Sequence, residues 1–139
     1  MRDHSVFVAD DRDFLTRFER GEIPRAEWGH HAHLRIVWLY LLLHGPLAGP
    51  GEALDAVRAY NARCRKTCHH ETMTRFWIAQ AAREIAKGSG CADFAAFLAA
   101  SPRLEDLLLC LEYYSRDRLF SPAARDGWVE PDLKPLDAD

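Results

Sequence analysis

The chain lacks a dominant charge of one sign. Its 139 residues carry 18 Lys and Arg against 21 Asp and Glu, a formal net charge of −3 with histidine neutral. Acids and bases are interspersed, so no basic stripe can neutralise a phosphate backbone, and nucleic acid is excluded as an expected partner. Long hydrophobic runs are also missing. The longest, Ile36 to Leu43, is far shorter than the about 20 residues needed to span a bilayer. No membrane partner is expected. The start, Met1-Arg2-Asp3-His4, turns acidic at once and has no apolar stretch, so it does not read as a signal peptide. The expected location is the cytoplasm.

Cysteine is scarce and badly spaced for zinc. Cys64, Cys68, Cys91 and Cys110 form no Cys-x-x-Cys pair, which excludes a zinc ribbon and gives no disulfide framework. They read as small core or surface thiols in a reducing compartment. Cys64 and Cys68, four apart on an expected helix, could instead be a soft metal or redox pair beside His69. No β-alternation, internal repeat or long linker is present.

What is present is helical periodicity. One domain spanning residues 1–139 is expected, and a chain of this length can bury about 68% of its unfolded surface without staples. The fold class is all-α, a single compact bundle of about five to six helices. Asp10-Asp11 can cap a first helix through Phe14, Leu15 and Phe18 to Arg20. A second runs from Pro24 or Trp28 to His44, apolar on every side in its later half and therefore central. Gly45-Pro46 stops it, and Gly45 to Gly51 reads as a loop. A third helix starts at Pro50, a fourth runs from His70 to Lys87, and a fifth covers Asp93 to Ala99. Ser101-Pro102 opens a sixth through Leu104, Leu107, Leu108, Leu111 and Tyr114. Trp128, Val129 and Leu133 anchor a docking tail.

The residues with chemistry are histidines. Glu27-Trp28-Gly29-His30-His31-Ala32-His33-Leu34 places His30 and His33 three apart at the head of an apolar helix. At that spacing Cβ atoms lie about 5–6 Å apart, and both rings can reach one ion. His31 points about 100° away and is not an expected ligand. The second group is His69-His70-Glu71-Thr72-Met73-Thr74 at a helix start, where carboxylate charge is favoured. His30, His33 and His70 would be metal ligands, Glu71 a fourth ligand or a general base, and Thr74 a positioning hydroxyl. Such a site suits a divalent transition metal: zinc, iron or copper. The expected function is a metal-dependent enzyme acting on a small molecule, hydrolytic or oxidative.

The alternative is a non-catalytic helical binding or interaction module. In it the histidines form a structural network, and Glu71 pairs with Arg75 at the surface. Trp38 and Trp77 are expected core residues. Arg58, Arg65 and Lys66 form either a solvated face or a rim for an anionic substrate.

Glu27-Trp28-x-His30-x-Ala32-His33-Leu34 and His70-Glu71-Thr72-x-Thr74-x-Phe76-Trp77, with Tyr114-Ser115, Ala124-Arg125 and Pro131-Asp132-Leu133, resemble a group of small all-helical bacterial proteins of unassigned function. The resemblance implies that His30, His33, His70, Glu71, Thr72 and Thr74 are the positions of interest. Where that group would carry Thr or Ser at 29 and Tyr at 69, this chain has Gly29 and His69. A looser similarity is to all-helical metal phosphohydrolases. There a His-Asp dyad would correspond to His70-Glu71, and a late aspartate to Asp106 or Asp117.

Overall fold

The computed structural model describes residues 4–63, 69–88 and 92–138. Cys64, Cys68, Cys91, Arg65 and Lys66 lie outside them. The described residues are helical without strands: α1 (Ala9–Glu19), α2 (His30–Arg63), α3 (Glu71–Ala86), α4 (Phe94–Ala100), α5 (Cys110–Tyr113), α6 (Arg116–Leu119) and α7 (Pro122–Asp126). Single 3-10 turns cover His4–Val6, Arg25–Glu27 and Pro102–Glu105. Among the described residues no helix is long and apolar enough to cross a membrane.

α2 sets the architecture. Its 34 residues would extend about 50 Å if straight. They do not, because Gly45 stands at φ 84°, ψ 176°, a conformation open to glycine and costly for residues with a Cβ. The chain reverses there, and Pro46 restarts the helix with its φ already helical. Two limbs result, residues 30–44 and 46–63. Just past the bend, a Cβ on Gly49 would stand 3.0 Å from the Leu41 Cα, so the limbs approach backbone to backbone. The expected loop from Gly45 to Gly51 therefore shrinks to one non-helical residue.

The first limb is central, as its composition implies. Leu34, Ile36, Val37, Trp38, Leu39, Leu41 and Leu43 are all buried. The second limb is amphipathic: Ala53, Val57, Tyr60 and Asn61 are buried, a stripe at helical spacing. It returns the end of α2 to its beginning. Tyr60 stacks on Trp28 at 4.1 Å, Phe18 of α1 stacks on both, and the Tyr60 hydroxyl donates to the Ile23 carbonyl at 3.0 Å. α3 packs along α2 more extensively than any other pair of elements, burying Phe76, Trp77, Ile78 and Ala81.

Two further expectations change. Asp10 and Asp11 do not cap α1, whose N-cap is Val8 without a side-chain bond. Asp11 is buried instead. It accepts from Arg35 of α2 at 2.7 and 3.1 Å and from the Phe94 backbone N–H of α4 at 2.9 Å, so one carboxylate joins three helices. The sixth helix also breaks. Asp106 leaves helical geometry at ψ 104°, and its carboxylate accepts from the Leu108 N–H, a local bond that competes with the helix. Leu107 and Leu108 end up 66% and 64% exposed.

The tail after α7 lies along α3, gripped by its backbone. Thr72 donates to the Gly127 carbonyl and accepts from the Val129 N–H. Tyr114 donates to Val129 O, and Arg83 reaches the Leu136 and Ala138 carbonyls.

Candidate functional site

The reversal in α2 brings its first turn, its last turn and the start of α3 around one cavity of about 240 Å³, partly open to solvent. Trp28, Gly29, His30 and His33 line it from the α2 entry. Asn61 lines it from the second limb, and His69, His70, Met73, Thr74 and Trp77 from α3 and its approach. Four imidazoles thus share one pocket with two indole walls. Trp77, expected in the core, is buried there and also walls the pocket.

Specific hydrogen bonds fix the rings of His30, His69 and His70. His30 Nε2 lies 2.7 Å from the Leu104 carbonyl. A carbonyl only accepts, so Nε2 carries a hydrogen, and in the neutral ring Nδ1 is the nitrogen that holds the lone pair. The ring sits edge-on to Trp77 at 4.5 Å. Orientation of a histidine by a backbone carbonyl on one nitrogen is the usual support for a metal ligand or a base on the other. His33 packs edge-on to Trp28 at 6.0 Å.

His70 is differently employed. As N-cap of α3 its Nδ1 accepts from the Met73 N–H at 3.0 Å, and its Nε2 faces the Leu119 carbonyl at 2.7 Å. Both nitrogens are engaged, so a metal at His70 would have to displace a helix cap or a tertiary bond. Thr74 is buried, and its hydroxyl donates to the His70 carbonyl at 2.8 Å. Thr72 serves the tail rather than the pocket. His31 points away, against Phe94 at 5.1 Å.

Glu71 does not line the cavity and is 5% exposed. Its carboxylate accepts from Arg58 through two nitrogens, from Arg75 Nε at 2.9 Å, and from His69 Nε2 at 3.0 Å. Burial pushes this carboxyl up, but the bonds from Arg58, His69 and Arg75 outweigh it and hold the group at about 2. Rather than a surface pair with Arg75, it is the buried centre of an ionic cluster that joins the second limb of α2 to α3. A carboxylate so held is a poor proton acceptor at neutral pH, and as a ligand it would have to give up its arginines. Among the described residues no group of three or more His, Cys, Asp or Glu side chains is placed to hold a metal ion. Asp106 and Asp117 are both exposed and do not line the cavity.

His69 and Asn61 are the pocket residues that the motifs left unassigned. His69 Nδ1 lies 2.6 Å from Asn61 Nδ2. Asn61 is 8% exposed and its Oδ1 has no hydrogen-bond partner. The signal in the sequence was a polar residue inside the apolar stripe of the second limb, next to Tyr60. No family model, curated protein or solved structure matches this chain.

Proposed function

We propose that the protein is an enzyme acting on a small molecule held in the pocket between the α2 entry and the α3 start, with His30 and His33 as its working imidazoles. The observation that carries this reading is the fixed His30 ring. Its Nε2–H is committed to Leu104 O, so Nδ1 is the nitrogen available to take a proton or bind a metal. The pocket supplies indole and thioether walls from Trp28, Trp77 and Met73, the mix of apolar surface and few polar groups that small-molecule sites use. His69 and His70 belong to the frame. Glu71 supports His69 and the two arginines instead of acting on substrate. A transition metal in this pocket would rest on His30 and His33, with its remaining positions open to water or substrate.

The test uses 15N-labelled protein and its histidine ring resonances. Zinc is added to the parent, to His30→Ala and to His70→Ala, alongside a panel of small aromatic and polar fragments. The reading expects ring shifts of His30 and His33 with zinc or with a fragment, lost in His30→Ala. His70→Ala should lose thermal stability instead. No saturable change at either ring with zinc or any fragment would overturn it and leave the histidines as a structural network.

A further inference from the structure

We infer that the pocket is a site for monovalent copper, held by His30, His33 and the thioether of Met73. This inference rests on the pocket reading above and names the ion that its donor atoms select.

The polar wall offers few donors. His70 caps α3 through Nδ1 and faces the Leu119 carbonyl through Nε2. His69 is held between Asn61 and Glu71 by its two nitrogens. The imidazoles for an ion are then His30, through Nδ1, and His33, one turn further along α2. No carboxylate lines the cavity. Among the described residues no His, Cys, Asp or Glu makes a third with any such pair. Magnesium and calcium take oxygen ligands, and zinc is held by three or four protein ligands. Neither demand is met here.

The third donor is a sulfur. The chain has two methionines, Met1 and Met73, and Met73 stands half-buried on the wall of this cavity. Its place opposite His30 follows from the helix. The Trp77 indole lies 4.5 Å from the His30 ring, and Met73 precedes Trp77 by four residues on α3. Residues at that spacing share a helix face, with Cβ atoms about 6 Å apart. Met73 therefore stands on the face of α3 that His30 meets. Its unbranched side chain, with three rotatable bonds, lets the sulfur approach an ion without moving the helix. Thioether sulfur selects Cu(I), and imidazole also suits copper. A closed-shell Cu(I) is content with a linear or trigonal set, which two imidazoles and one thioether complete. Trp28 and Trp77, both buried, form apolar walls that keep water from it.

The test uses the full chain, labelled with 13C-methyl methionine and 15N histidine, its reactive thiols first blocked with N-ethylmaleimide because thiolates also bind copper. Cu(I) is delivered without oxygen from its acetonitrile complex, in competition with the chelator bicinchoninate. Zinc is titrated in parallel. One equivalent of Cu(I) should shift the Met73 methyl together with the His30 and His33 rings, and zinc should leave that methyl in place. Leucine is close to methionine in volume, so Met73→Leu removes the sulfur and keeps the packing. It should weaken Cu(I) binding by roughly tenfold or more, at least the cost of losing an outer-shell support. Its zinc affinity should stay within a few-fold of the parent.

A Met73 methyl that Cu(I) leaves unmoved overturns the inference, and this readout needs no variant. So does a Met73→Leu protein that binds Cu(I) as tightly as the parent. If zinc or a neutral fragment such as indole moves the His30 and His33 rings while Met73 ignores Cu(I), the copper site is wrong and the small-molecule site stands. If nothing moves the rings, both fail.

Discussion

Replacing Glu71 with glutamine should cost the fold about 2–3 kcal/mol at neutral pH, and the cost should vanish in acid. The carboxyl is held at about 2 against an ordinary 4.5. At about 1.4 kcal/mol per pH unit, this is worth about 3 kcal/mol of folding stability. Glutamine keeps the shape and one acceptor but loses the charge shared by Arg58, Arg75 and His69. Both guanidinium groups are partly exposed and can turn to water, which trims the loss to the lower part of that range. The pH dependence follows from the direction of the shift. The folded state binds this proton less readily than the unfolded chain does. The stabilisation is therefore complete above about 4.5 and is lost as pH falls toward 2. Urea unfolding of parent and Glu71→Gln at pH 7, 4 and 2.5 measures it. A difference under about 0.5 kcal/mol at pH 7, the range of an ordinary surface change, would refute the account of a buried ionic centre. So would a difference that stays constant down to pH 2.5.

Asp11→Ala should be among the more destabilising substitutions, by about 2–3 kcal/mol in urea unfolding, because it leaves the Phe94 N–H unpaired and Arg35 with only the exposed carboxylate of Asp10. Gly45→Ala should cost about 1 kcal/mol or more, since the alanine must hold φ near 84°; a melting temperature equal to the parent's would contradict the reversal there. Thr72→Val should cost about 1–2 kcal/mol and raise amide exchange in residues 127–129 without disturbing that of the first limb of α2. The Cys110 thiol, pushed up by burial to about 12, should resist iodoacetamide at pH 8 in the folded protein and react once the chain is unfolded in guanidinium, as peptide mapping would show.

The helical class and the meeting of His30, His33, His70 and Thr74 around one cavity were legible because helical spacing is a local property. So was the central place of the first limb. What could not be read were the bonds that assign the histidines their separate tasks. His30 is oriented by the carbonyl of Leu104 and His70 by that of Leu119, and a backbone carbonyl has no letter in the sequence. Glu71 misled for a related reason. Its spacing to Arg75 was visible, but Arg58 arrives only because Gly45 folds α2 back on itself. Asp11 shows the converse: a carboxylate near a helix start was read as a cap, and the tertiary partners Arg35 and Phe94 won it instead.

The tail after α7 has a consequence for how this chain can vary. Several of its anchors are main-chain groups, Gly127 O, Val129 N and O, Leu136 O and Ala138 O, held by side chains of the helical body. A grip on the peptide unit is blind to which side chain hangs from it but sensitive to where each unit falls. Substitutions at 133 and 137, which are exposed, should pass almost unnoticed. Deleting or inserting one residue between 129 and 136 should shift the later anchors out of register and release the end of the chain. Length, more than spelling, is what the body of the protein reads in this segment.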